Sequence, residues 1–161
     1  LLKFSVSATT RPPRPDEIHG RDYYFMNNEE FDKHIEEDDF LEWEQVYSGC
    51  RYGTLKSEVD KQHKSGYFTL LDIDVEGALN VKQIYGQDCL AIFIKPPSME
   101  ELKKRLVNRK TESSQSLDDR LKKAEKEITY AGEFDHIIVN KNIDEAYREI
   151  YQLVKQFIKN S

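Results

Sequence analysis

Tyr67-Phe68-Thr69-Leu70-Leu71-Asp72-Ile73-Asp74 decides the fold of this 161-residue chain. Its first six residues are nearly continuous in apolar character, which predicts a strand covered on both faces, the mark of a parallel sheet. A helix is expected over 74–84, where Val75, Ala78, Leu79 and Val81 are apolar. Residues 89–94 read as a second buried strand, stopped by Pro96 and Pro97. Ser98 is placed to cap a helix over 99–109, and another helix is expected over 116–131. A short strand at 136–139 and a closing helix at 144–158 complete the series. Strand and helix alternating through right-handed crossovers give a parallel sheet, so the fold class is α/β.

Upstream of that stretch the character is mixed. Residues 4–7 alternate as a strand with one apolar face, and residues 22–26 form an aromatic strand after a turn at 16–20. Asn27 or Asn28 can cap a helix over 29–37, with Phe31 and Ile35 four apart on one face. Residues 40–46 alternate as a strand, and Arg51-Tyr52-Gly53-Thr54 leads to a helix over 56–64, closed by Gly66. This first half is therefore a small mixed unit with several strands.

Length and composition suit one domain with a real core: 38% of residues are hydrophobic and 34% charged. No apolar run approaches the roughly 18 residues of a membrane helix, and no signal peptide is legible at the start. A net charge of −6 argues against a nucleic-acid surface. The charge is uneven, however. Residues 28–46 carry nine acids against one lysine, and residues 98–130 carry nine basic side chains against seven acids. Cys50 and Cys89 have no paired spacing, which fits a reducing compartment and so a cytoplasmic location. His19, His34, His63 and His136 are scattered, which argues against zinc.

Chemistry concentrates first in Ser7-Ala8-Thr9-Thr10-Arg11-Pro12-Pro13-Arg14-Pro15. Three prolines exclude a helix and hold the segment extended or turned. Two arginines supply planar forks of donors suited to phosphate, and hydroxyls add single donors. The residues alone leave two readings open: a cradle for an oxyanion, or a basic proline-rich surface loop.

Residues 5–14, followed by Gly20-Arg21-Asp22-Tyr23-Tyr24-Phe25, resemble the GMP-phosphate-binding segment of guanylate kinases, and the resemblance extends in order to the last helix. The resemblance implies a P-loop NTPase-like core, a GMP-binding lobe, a mobile lid, and ATP-dependent phosphorylation of GMP with Mg²⁺. It implies that Arg11, Arg14, Tyr23 and Tyr52 hold the GMP phosphate, with Ser7 nearby. Glu42 would read the guanine and Thr54 would reach its O6. A carboxylate suits guanine, whose N1–H and N2 amino group offer two adjacent donors that adenine lacks on that edge. Asp72 and Asp74 end the central strand, where ligands gather in open α/β sheets. By resemblance Asp72 is an outer partner of Mg²⁺ and Asp74 touches the guanine amino group; as a bare residue Asp74 also reads as a helix cap. Arg105, Arg109 and Arg120 match the lid arginines that fold over ATP and the transferring group, and Asn140 matches an adenine-side contact.

One part of that pattern does not occur. No Gly-x-x-x-x-Gly-Lys-[Ser/Thr] loop, the usual holder of ATP phosphates, lies within residues 1–161. The expectation is that a strand, loop and helix precede Leu1, because that strand belongs in the middle of the sheet. The alternative is a non-catalytic guanylate-kinase-like module of the kind that binds phosphorylated peptides in scaffold proteins. The lid arginines and the Asp72–Asp74 pair favour the enzyme, since a peptide site does not require them. Monomer and homodimer both remain open.

Overall fold

A computed structural model describes residues 1–46, 49–108 and 114–161. They fall into two compact units, Leu1–Gly77 and Ala78–Ser161.

In the first unit, β1 (Leu2–Phe4) pairs in parallel with β6 (Phe68–Leu70), in the register Lys3 to Thr69. Between them come β2 (Ala8–Thr9), β3 (Tyr24–Phe25), β4 (Phe40–Gln45) and β5 (Arg51–Leu55). These build a four-stranded sheet in the order β3-β2-β5-β4. The helices α1 (Asn28–Glu36) and α2 (Lys56–Lys64) complete the unit. The expected strand over 4–7 is divided: β1 stops at Phe4, and β2 begins only at Ala8 in the other sheet.

Local chemistry explains these elements. Asn27 caps α1 by accepting the Glu30 N–H, and the Glu30 carboxylate returns to the Asn27 N–H. The other end of α1 closes through Asp38 in the left-handed region (φ 54), which lets the Asp39 N–H reach the His34 carbonyl at 2.9 Å. That turn brings His34, Glu37 and Asp39 together, with His34 Nδ1 2.8 Å from Asp39 Oδ2, so the cluster is part of a helix ending. The core is Phe31 stacked on Phe40 at 4.4 Å, with Ala8, Tyr24, Met26, Ile35 and Leu55 around them. Gly53 is required at the centre of β5, because a Cβ there would lie 2.8 Å from the Phe40 ring and 2.9 Å from Trp43 Cβ.

In the second unit β7 (Ile92–Lys95) runs parallel to β8 (His136–Val139). Lys82 on α3 (Val75–Tyr85, which begins in the first unit) pairs with Asp135 at 2.8 Å and donates to the Cys89 carbonyl. Asp135 also accepts from the Ala91 N–H, joining the starts of both strands to α3. Helices α4 (Met99–Asn108) and α5 (Ser114–Ile128) pack on each other. The closing helix α6 (Ile143–Asn160) is capped by the Asn142 side chain.

The α/β class holds, with the expected parallel pairing present as two separate strand pairs. The expectation that residues 67–72 and 89–94 are buried on both faces is corrected. β6 has three residues, with Leu70 43% exposed, and Ile94 of β7 is 55% exposed. A strand with a neighbour on one side and cover on one face leaves alternate side chains in water. Apolar continuity therefore reported hydrophobicity here without reporting burial.

Candidate functional site

The first unit gathers most of the expected residues onto one small sheet. β2 lies between β3 and β5, pairing Ala8 with Tyr24 and Thr9 with Tyr52. On the β4–β5 ladder Glu42 stands opposite Thr54 and Glu44 opposite Tyr52. Tyr52 and Thr54 are two residues apart, so they share a face of β5 about 7 Å apart. Tyr23, just before β3, brings its ring to 6.0 Å from that of Tyr52, edge to face.

Arg11 follows β2 and is held from several sides. Its Nη1 and Nη2 donate to the two oxygens of Glu17 at 2.9 and 2.8 Å, and Nη1 also reaches the Pro12 carbonyl. Its guanidinium lies 5.4 Å from the Tyr23 ring centre and 5.8 Å from that of Phe25. The Glu17 hydrogen bonds raise the Arg11 pKa above its ordinary value, with Tyr52 adding to the rise and burial opposing it. Arg14 leaves its side chain exposed, while its backbone N–H donates to Glu17 at 2.7 Å. Glu17 thus ties both arginines to one carboxylate, whose pKa falls to about 2 mainly because of the Arg11 hydrogen bonds. Sequence reasoning passed over Glu17. An acid three residues after Arg14, within a proline-stiffened turn, was the available signal.

Two of the hydroxyls expected as donors are used as acceptors. Thr9 Oγ1 accepts the Arg11 N–H, and Thr10 Oγ1 accepts the Arg51 N–H at 2.8 Å. They shape the turn. Ser7 is half-buried, and its carbonyl accepts the Tyr24 N–H. Burial pushes the Tyr23 phenol up, so it remains a protonated donor at neutral pH.

Glu42 is 8% exposed, unusual for a strand glutamate. Burial raises its pKa first, and the neighbouring Asp74 charge raises it further. The Thr54 N–H partly offsets that rise. Asp74 caps α3 by accepting the Gly77 N–H at 2.9 Å, as one of its two readings required. Gly77 is what lets the helix approach: a Cβ there would lie 2.7 Å from Glu42 Oε2 and 3.0 Å from Asp74 Oδ1. Gly77→Ala is therefore expected to displace the Glu42 carboxylate, the flexible end of its side chain, while leaving the fold intact. The helix itself gains about 1 kcal/mol from the substitution. A ligand hydrogen-bonded to that carboxylate should bind about tenfold more weakly with the melting temperature maintained; titration and thermal unfolding of G77A check this.

Asp72 is exposed beyond the carboxyl end of β6 and has no ion pair among the described residues. In the second unit Arg105 donates to Glu101 Oε1 at 2.9 Å and to the Asn140 carbonyl at 3.0 Å, bringing two expected residues together. Arg120 is half-buried on α5. Arg109 lies outside the described residues. No described helix is long and apolar enough to cross a membrane.

With this geometry in hand, comparison with known proteins is specific. A family model described as guanylate kinase matches residues 2–157. A guanylate kinase of Bacteroides thetaiotaomicron is 46% identical over 157 residues, covering 98% of this chain and 77% of the relative. One from Salinibacter ruber is 48% identical over 159 residues, covering 99% and 84%. The crystal structure of guanylate kinase from Anaplasma phagocytophilum matches with a TM-score of 0.80 at 34% identity, over 96% of this chain and 75% of that one.

Proposed function

The chain belongs to the guanylate kinase family, and from that premise we propose how its residues serve the reaction. It is a kinase that transfers the γ-phosphoryl group of ATP to GMP, giving ADP and GDP. The observation that carries the residue-level reading is the buried Glu42–Thr54 pair on the same two strands as Tyr52, one dipeptide away. Purine edge and phosphate are both met within the span of a single nucleotide.

In this reading Arg11, Arg14, Tyr23 and Tyr52 hold the GMP phosphate, with Ser7 beside them. Guanidinium forks and phenol O–H groups all donate, as a dianion requires. Glu42 accepts from N1–H and N2 of guanine, Thr54 meets O6, and Asp74 supports the amino edge. An oxygen of the GMP phosphate attacks the γ-phosphorus while its bond to the ADP oxygen breaks. Charge collects on peripheral oxygens, so positioned cations do most of the work. Arg14, Arg105, Arg109 and Arg120 supply them, and Arg105 and Arg109 also serve ATP, with Asn140 on the adenine side. Arginine suits this role because it stays charged when water is excluded.

Asp72 offers an exposed carboxylate free of ion pairs among the described residues, a hard oxygen donor that fits Mg²⁺ through a water. Bound there, Mg²⁺ would neutralise charge on the phosphate oxygens. The functional division is a lobe over 7–66 for GMP, a core of 1–6, 67–97 and 132–161, and a lid over 98–131. The setting is cytoplasmic purine nucleotide metabolism. No observation favours the phosphopeptide-binding alternative.

The test is coupled ADP formation by the full-length protein with ATP, Mg²⁺ and GMP, AMP or UMP as acceptor. Turnover with GMP alone at micromolar to millimolar concentration is expected. Equal rates with AMP would overturn the role given to Glu42.

A further inference from the structure

The chain enters the four-stranded sheet through Ser5–Ser7 and leaves it through Ser65–Tyr67, where Gly66 takes a positive φ of 75°. Both crossings meet at Gln62, near the end of α2. Its side-chain Nε2 donates to the Phe4 carbonyl at 3.1 Å, on the outgoing crossing. Its backbone carbonyl accepts from the N–H groups of Ser65 and Tyr67 at 3.1 Å each, on the returning one. The same amide reaches Glu58 Oε1 at 3.4 Å, and Glu58 Oε2 accepts the Tyr24 phenol at 3.0 Å. A hydrogen-bonded chain therefore runs from the two crossings to the residue next to Tyr23.

This arrangement is costly for a purely structural residue. Gln62 is 5% exposed and Ser5 2%, yet Gln62 Oε1 and Ser5 Oγ have no hydrogen-bond partner among the described residues. A half-satisfied buried amide is poorer than an apolar side chain of the same size. Ser5 directly follows the carbonyl that Gln62 already holds. A donor hydroxyl thus sits one residue beyond the Phe4 carbonyl that Gln62 holds, and the amide oxygen of that same Gln62 is the acceptor left over.

We propose that Gln62 is a positioning residue for phosphoryl transfer, the pin about which the GMP-holding sheet turns. In the turned state the Ser5 hydroxyl donates to Gln62 Oε1, and that bond favours the reactive orientation of bound GMP. The proposal rests on the GMP reading above. Gln62 touches no nucleotide, so its loss acts on turnover and spares binding.

The experiment measures kcat and KM for GMP in the full-length protein, together with GMP affinity from fluorescence of Trp43, the one tryptophan of the chain, which adjoins Glu42. Gln62→Leu is expected to lower kcat about tenfold, leave GMP affinity within about threefold, and keep or raise the melting temperature. Ser5→Ala, a smaller change that keeps the Phe4 contact, is expected to lower kcat about threefold. Unchanged kcat in both Gln62→Leu and Ser5→Ala overturns the proposal. So does a parallel fall of kcat, affinity and melting temperature, which marks Gln62 as structural. Absence of GMP binding by the unmutated protein would instead refute the functional reading beneath it.

Discussion

Glu42→Gln is expected to raise the KM for GMP about 100-fold, to erase most of the preference for GMP over AMP, and to raise the melting temperature at neutral pH. One of two hydrogen bonds to an ionised acceptor is reversed, worth roughly 1.5–3 kcal/mol, since the amide keeps its oxygen but presents a donor where guanine also presents a donor. Stability moves the other way because ionised Glu42 is buried beside Asp74, and its pKa is raised by burial first and that charge second. The sign follows directly. A carboxyl whose folded-state pKa exceeds its unfolded value favours the folded state most below the unfolded pKa. That contribution is lost as pH rises through the folded pKa. The Gln variant has no such loss and should flatten the stability profile there. GMP affinity of the unmutated protein should decline as pH falls through the same raised pKa, because only the carboxylate accepts from guanine. Steady-state kinetics and thermal unfolding between pH 4 and 8 check both. A Gln variant with unchanged purine selectivity would remove Glu42 from the base site.

Glu17→Gln is expected to raise the KM for GMP about tenfold, with a smaller change in kcat. The carboxylate takes two Arg11 donors and the Arg14 backbone N–H, which leaves the Arg11 edge near Tyr52 to face a phosphate. Without it the guanidinium regains rotamer freedom, which must be lost again on binding. Removing the Arg11 fork outright, as Arg11→Ala, should cost more, since a charge-assisted bidentate grip is lost with it. The pH dependence has the opposite sign to that of Glu42. Glu17 is held at about 2, so its contribution is present above the ordinary carboxylate range and lost as pH falls through about 2. Phosphate binding should therefore keep its geometry under mild acid while guanine reading weakens. A fall in KM for Glu17→Gln would show that Glu17 competes with the phosphate for Arg11, reversing the role argued here.

Element type was legible from local chemistry. Asn27, Asn142 and Asp74 cap helices within their own turns, and α2, α4 and β8 fall within a residue of their expected bounds. The candidate site residues came from the resemblance to guanylate kinases, because by type alone Tyr23 and Tyr52 read as ordinary aromatic residues and Glu42 as a solvent-facing strand residue. The sequence was a poorer guide to burial. Leu70 and Ile94 read as core residues and meet water, since burial depends on how many strands and layers lie alongside.

By itself, then, the order of residues determined the α/β alternation and the helix caps. Each is a matter of rotamer, backbone dihedral or functional group within a few residues. Only the tertiary structure decided that β2 lies between β3 and β5, that Glu17 takes the Arg11 fork, that Gly77 admits Glu42, and that Gln62 joins two crossings far apart in sequence. Those pairings depend on which strands meet and in what register. That choice is made by burial and hydrogen bonding summed over the whole unit, and no local window of sequence contains it.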